Sequence, residues 1–217
     1  MNTRLTFIVL GRWNLGLSAL MAMEGLGEVK AVVSTSSYQN DNESIVMWDY
    51  AQSKKIKCID FNQKKWREEF QQLTCDFLIS CAFSKILKKE ELKVGTKGAI
   101  NIHPALLPKH RGPSPIQAAI LSGDSHIGLT AILMDEWVDH GPILKQKSWN
   151  LDPQKTPRQL VEQMISTMPS FMNDVLQCIH SLSKGEVQNN SFSTFAPRVI
   201  IPWDETVAHI RKNYEKI

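Results

Sequence analysis

With 217 residues, 42% of them hydrophobic, the chain can bury one well-packed core but is too short for two full-sized domains. Its formal charge of +3 comes from Lys and Arg scattered along the chain, and the densest run, Lys54 to Lys57, has no interleaved aromatic to stack on bases, so nucleic-acid binding is not indicated. The apolar run after Arg4 is too short for a signal-peptide core and no run approaches a membrane span, so a soluble cytoplasmic protein is expected.

Leu5 to Leu10 is an apolar, β-prone run ended by Gly11, and Leu15 to Met23 carries apolar residues at helical spacing. Val29 to Val33 reads as a second strand, bounded by Gly27 and by Ser34-Thr35-Ser36-Ser37. Met47 to Lys54 is predicted helical, Ile56 to Ile59 extended, and Lys64 to Leu73 helical with a charged face. Phe77 to Ala82 is an unbroken apolar-rich run of the kind buried on both faces of a parallel sheet. Ile86 to Leu92 predicts a short helix, and Ala99 to Ile102 a strand that delivers Asn101 and His103 to its carboxyl end. This alternation predicts an α/β fold: an open, mainly parallel twisted sheet with helices on both faces and ligand sites beyond the carboxyl ends of the strands.

Ile116 to Leu121 is a predicted helix introduced by Ser114 as cap and Pro115 at the first helical position. Leu129 to Met134 and Ile143 to Trp149 read as strands that pair antiparallel at one sheet edge, near residues 129–149. Thr156-Pro157 opens a long helix whose apolar positions, from Val161 to Ile179, keep a three-to-four period until Gly185. Pro169 inside it is expected to kink or split it. An extended stretch from Phe195 to Ile201 and a helix from Asp204 to Tyr214 close the chain. The organisation expected is a catalytic domain over residues 1–185 and a C-terminal extension, an extended segment plus helix, over 186–217.

The four cysteines, Cys58, Cys75, Cys81 and Cys178, have no Cys-x-x-Cys spacing and fall in strand or helix, so reduced core thiols are expected, with neither disulfide nor metal site. Gly11 to Gly16 has Gly-x-x-x-x-Gly without the Lys-Ser/Thr of a phosphate loop or the tighter spacing of a dinucleotide fingerprint. No serine sits in a Gly-x-Ser-x-Gly elbow, which leaves a serine esterase unsupported.

The chemistry concentrates in Asn101-Ile-His-Pro-Ala-Leu-Leu-Pro-Lys-His-Arg-Gly-Pro-Ser-Pro and in Val138-Asp-His-Gly-Pro-Ile-Leu. Asn101 and His103 are two apart in an extended chain, so their side chains share a face. Asp139 lies in a turn between two edge strands, from which a carboxylate can reach His103 and fix its tautomer. An amide, an imidazole and a carboxylate together suit acyl transfer to an amine. Each also has a plain structural use: Asn101 closing a turn, His103 as a hydrogen-bonded core histidine, Asp139 in an Asx turn. Lys109 and Arg111 are read equally as anion ligands or as solvated charges.

These motifs, with Gly123-Asp and Gly128-Leu-Thr downstream, resemble the folate-dependent formyltransferase family, over a stretch from Leu5 to about Gly185. The family includes glycinamide ribonucleotide formyltransferase, the catalytic domain of methionyl-tRNA formyltransferase and sugar N-formyltransferases. The resemblance implies a Rossmann-like formyltransferase fold and formyl transfer from 10-formyltetrahydrofolate to a primary amine, with Asn101, His103 and Asp139 as the catalytic trio. In that picture Asn101 and His103 donate to the oxygen that gains charge, and Asp139 holds His103 and helps a water move the amine proton. It further implies a pterin slot from Cys81, Ala82, Phe83 and Ile86 on one side and Trp137, Val138 and Asp139 on the other, with Lys109, Arg111 and Ser114 toward the acceptor. Phe83 and Trp137 are read alternatively as ordinary core aromatics.

The chain departs from many relatives at Ala105, where Ser is usual, which does not touch the trio, and at His140, where Thr or Glu is usual, which sets a titratable group beside Asp139; neither change alters the reaction class expected. The tRNA-directed branch carries an arginine-bearing loop after the second strand and a further C-terminal domain. Here the loop after Val33 is Ser-Thr-Ser-Ser-Tyr-Gln-Asn-Asp-Asn-Glu, acidic and polar, and the chain stops soon after Trp203-Asp204-Glu205, a segment that resembles the close of the catalytic domain in that branch. A small-molecule amine is the acceptor expected, such as a nucleotide-linked amino sugar or a specialised-metabolite amine, and a homodimer stays open. A tRNA-directed enzyme or its catalytic domain, a formyltetrahydrofolate hydrolase and an inactive folate-binding module are the alternatives.

Overall fold

In the computed structural model, which describes residues 4–37, 45–180 and 184–214, the first strand buries side chains on both faces. Phe7 and Val9 of β1 (Thr6–Gly11) enter one layer of the core and Ile8 and Leu10 the other. A period of two with apolar residues on both sides is what a central parallel strand requires. Around it run α1 (Trp13–Leu26), β2 (Glu28–Ser34), α2 (Val46–Ser53), β3 (Lys57–Asp60), α3 (Trp66–Gln71), β4 (Cys75–Cys81), α4 (Lys89–Leu92) and β5 (Gly95–His103). Then follow α5 (Pro115–Leu121), β6 (His126–Leu133), β7 (Ile143–Asn150), α6 (Pro157–His180) and α7 (Val207–Asn213).

The seven-stranded sheet has the order β3-β2-β1-β4-β5-β6-β7. Pairs from β3 through β5 are parallel, and β6 and β7 are antiparallel to their neighbours, so the α/β class and the antiparallel edge match the expectation. One core layer takes residues of α1, α2, α5, α6 and α7; the other takes Trp66 and Phe70 of α3 with Leu87 and Val94. Ile100 and Ile102 of β5 face the first layer. Alternation therefore turns Asn101 and His103 to the second face, at the carboxyl end of the strand.

Several elements differ from the sequence reading. Helix α4 begins at Lys89 rather than Ile86, because Arg67 donates to the Ile86 carbonyl and Glu91 accepts from the Lys88 backbone N–H at 2.7 Å. Those contacts hold residues 86–88 out of helical geometry. Helix α3 covers only Trp66–Gln71 within the expected span from Lys64 to Leu73. Helix α6 is one continuous 24-residue element with Pro169 inside it; it is not split, since burial of Met164, Met168, Phe171 and Met172 outweighs one missing backbone hydrogen bond. Residues 38–44, which include most of the acidic loop after Val33, and 181–183, before Gly185, lie outside the described residues.

Beyond residue 185 the chain packs on the same body. Glu186 and Ile143 exchange backbone hydrogen bonds at 2.8 and 2.7 Å, and Arg111 forms a parallel bridge with Phe195. That bridge is the one ladder contact of the expected extended stretch, Phe195 to Ile201. Ala196, Ile201, Val207 and Ile210 are buried. The segment therefore crosses from the start of β7 to the loop after His103.

Candidate active site

Asn101, in register with Ser80 of β4 and Ile132 of β6, projects from the end of β5 toward the loop between β6 and β7. Its amide nitrogen donates to Asp139 Oδ1 at 3.0 Å. The other carboxylate oxygen, Oδ2, accepts the backbone N–H of Gly112 at 2.8 Å and stands 3.5 Å from His103 Nδ1. The three residues singled out from the sequence thus lie together, although Asp139 is distant in the chain.

His103 is buried, and both its ring nitrogens face protein acceptors. Nε2 lies 2.8 Å from the His110 carbonyl oxygen; a carbonyl only accepts, so Nε2 carries a hydrogen. Nδ1 faces the carboxylate. The Nε2–H thereby ties the ring to the 104–112 loop. The Asn101 amide carries a second hydrogen beside the one given to Asp139.

Three non-glycine residues with left-handed backbone belong to the segments of this site: Ala82, His110 and Asp139, with φ of 54°, 59° and 50°. Each such residue costs roughly 1 to 3 kcal/mol, and such costs concentrate where geometry serves a ligand. Here Asp139 is held by the Gly112 N–H and by Gln188, whose side-chain amide donates to the carbonyls of Asp139 and Gly141 at 2.9 and 2.8 Å.

The remaining candidates divide. Cys81 ends β4 wholly buried, and burial pushes its thiol up to about 12, so it is a neutral wall residue. The half-buried Phe83 ring meets Phe61 edge-on at 5.4 Å and Trp66 at 6.2 Å, at the margin of the second core layer. Ile86, Trp137 and Val138 are left 68%, 72% and 46% exposed on two segments that Lys89 and Glu136 bridge at 2.5 Å. Lys109 leans toward Asp124 at 3.6 Å. Arg111 binds Gln188 and Asn190 (2.7 and 2.9 Å from Nη2). Ser114 is buried with its hydroxyl accepting the Val199 N–H at 3.2 Å and makes no side-chain cap on α5.

A family model described as formyl transferase matches residues 22–176, well over half of the chain. The chain belongs to the formyl transferase family. Methionyl-tRNA formyltransferase of Thermotoga neapolitana is 35% identical over 156 residues, covering 69% of this chain and 49% of that protein. The Borreliella burgdorferi enzyme of the same name is 40% identical over 128 residues, or 58% of this chain and 40% of the relative. The chain therefore spans about half the length, or less, of these curated relatives.

Among solved structures, the N-formyltransferase from Helicobacter canadensis, in complex with folinic acid and dTDP-3-aminofucose, superposes with a TM-score of 0.69 at 23% identity, over 89% of this chain and 70% of that one. Glycinamide ribonucleotide transformylase 1 from Symbiobacterium toebii gives 0.68 at 17% identity, over 87% and 96%. At these identities the likeness establishes the fold. No helix among the described residues is long and apolar enough to cross a membrane, and no group of His, Cys, Asp and Glu among them is arranged to hold a metal ion.

Two residues that frame this cluster escaped the sequence reading. Gln188 lies in a stretch with no periodicity or motif. Thr130, fully buried, donates to the Ala105 carbonyl at 2.6 Å and accepts from the Leu107 N–H and Gln146 Nε2 at 3.2 and 2.9 Å, which props the loop after His103. The Gly128-Leu-Thr motif contained it without disclosing its use.

Proposed function

We propose that this chain transfers the formyl group of 10-formyltetrahydrofolate to the primary amine of a small molecule. The observation that carries the reading is the convergence of Asn101, His103 and Asp139 at the carboxyl end of β5. When bound, the folate supplies a formyl carbon open to attack by an amine and a nitrogen that leaves. Asn101 directs its uncommitted amide hydrogen at the formyl oxygen as negative charge develops there, a contribution of about 3 to 4 kcal/mol at sites of this type. Asp139 takes up the amine proton, directly or through a water, and passes it to the folate nitrogen as the bond from that nitrogen to the formyl carbon breaks, since two hydrogen bonds leave acceptor positions on its carboxylate. Asn101 and Gly112 hold the carboxylate in place.

The residues present suit a planar, partly apolar donor. Ile86, Trp137 and Val138 offer apolar side chains to solvent on neighbouring segments, and the backbone at Ala82 turns sharply out of β4. Flat apolar surface beside exposed backbone polar groups is the combination that reads a heteroaromatic edge.

For the acceptor, the loop following β2 carries Asp41 and Glu43 and no Lys or Arg between Ser34 and Ser44, a poor match to a phosphate backbone. The second reading is a methionyl-tRNA acceptor, favoured by the 35% identity to the Thermotoga neapolitana enzyme. Release of tetrahydrofolate from 10-formyltetrahydrofolate separates the cases when measured alone, with amino sugars on nucleotides, with glycinamide ribonucleotide and with methionyl-tRNA. Stimulation by a small amine supports the first reading, and stimulation by methionyl-tRNA alone replaces it with the second. Amine-independent release would mean hydrolysis, and no release under any condition would mean a folate-binding protein without turnover.

A further inference from the structure

The structure assigns to Gln188 the part of a positioning residue for Asp139, and to Arg111 the part of its anchor; the catalytic meaning of that assignment rests on the formyl-transfer reading above. Gln188 is almost fully buried. Its Nε2 donates to the carbonyl oxygens of Asp139 (2.9 Å) and Gly141 (2.8 Å), and its Oε1 accepts from Arg111 Nε (3.2 Å) and Nη2 (2.7 Å). One primary amide thereby spends both donor hydrogens on one loop and its acceptor on the other.

The two loops joined in this way are the two that meet in the site. Arg111 precedes Gly112, whose N–H binds the Asp139 carboxylate, and Gln188 holds the backbone of Asp139 from the opposite side. The strand-like exchanges between Ile143 and Glu186 and between Arg111 and residues 194–196 fix both ends of the segment that carries Gln188. A left-handed aspartate would otherwise relax toward ordinary backbone angles and withdraw its carboxylate from Asn101. A hydrophobic replacement would strip the two carbonyls of this donor and leave Arg111 with Asn190 but without its Gln188 acceptor. A glutamate keeps the contact with Arg111 but sets an acceptor against two carbonyls.

The test uses Gln188→Glu, which preserves volume and the arginine contact, beside Gln188→Met. Amide hydrogen exchange followed by NMR reports the clamp without any substrate, because the Gly112 N–H is protected by Asp139 itself. Expected in both variants is exchange at Gly112 about ten-fold faster or more, with the amides of Val9 and Ile79 unchanged. With 10-formyltetrahydrofolate and an accepted amine, kcat falls about ten-fold or more while KM for the folate moves less than about three-fold. Unaltered Gly112 exchange in Gln188→Glu, or normal kcat in a folded variant whose melting temperature alone has dropped, overturns the assignment. If wild-type protein transfers no formyl group to any amine, the reaction reading fails, and the exchange comparison still decides whether Gln188 holds Asp139.

Discussion

The backbone N–H of Gly112 reaches Asp139 Oδ2 at 2.8 Å, and through this bond the Arg-Gly-Pro loop and the Asp-His-Gly-Pro loop become one site. Gly112 adopts φ of +112°, and a Cβ there would stand 2.7 Å from Phe195 Cε2 and 2.8 Å from the Ala196 carbonyl. The glycine is required twice, by its backbone angle and by the segment pressed against it.

Gly112→Ala is therefore expected to destabilise the protein by about 1 to 3 kcal/mol, through strain and crowding against backbone. It should also lower kcat, because any retreat of the loop withdraws a donor from Asp139. Urea unfolding and steady-state kinetics check the two effects; a variant as stable and as active as wild type would mean that the loop yields without cost.

Asn101→Ala removes the amide hydrogen bound to Asp139 and the one directed at the formyl oxygen, so kcat should fall about a hundred-fold or more. Asp139→Asn is the cleaner probe of the carboxylate, since asparagine tolerates the left-handed backbone that alanine does not. It should lose activity to a similar extent while melting within a few degrees of wild type. Full activity in Asp139→Asn would remove the proton-accepting role.

The sheet was legible because its strands are short apolar runs with both faces buried, and a chain such as Phe7-Ile8-Val9-Leu10 has few other uses. The trio was legible for a local reason in part: the period of two that buries Ile100 and Ile102 puts Asn101 and His103 together. What could not be read were contacts made by loop residues across the chain. Arg111 looks like any exposed cation until Gln188, 77 positions away, supplies its acceptor. Ser114 looks like a helix cap until the Val199 N–H reaches its hydroxyl. The resemblance put Phe83 at a ligand slot or, alternatively, among ordinary core aromatics, and its ring packs against Phe61 and Trp66. In each case the partner lies in a different segment of the chain, so no local pattern in the sequence announces the contact.

Burial pushes the thiols of Cys75 and Cys81 up to about 12, which leaves almost no thiolate at neutral pH. In native protein both should resist an aromatic disulfide reagent for as long as the fold persists and react at once in denaturant. Mass mapping of modified peptides checks this. Prompt native labelling of Cys81 would show that the end of β4, where the site begins, opens to solvent.

Asp76 fastens the starts of three strands. It accepts from the Thr6 N–H at 2.8 Å and the Thr6 hydroxyl at 3.0 Å, and Lys97 approaches at 2.9 Å. Lys97 first, then the Thr6 donors, hold its carboxyl below the usual range against the opposing effect of burial. A carboxyl depressed by folding binds its proton more weakly in the native state than in the unfolded chain. Its stabilisation is thus complete above the unfolded value of about 3.9 and fades as pH falls through the lower folded value. Asp76→Asn should cost about 1 kcal/mol near neutral pH, a modest figure because the carboxylate is partly open to water. Urea titrations of both proteins between about pH 7 and about pH 3 should show the gap closing at the acid end as wild-type Asp76 takes up its proton. A gap that stays constant to the lowest pH would assign the cost to lost hydrogen-bond geometry instead of charge.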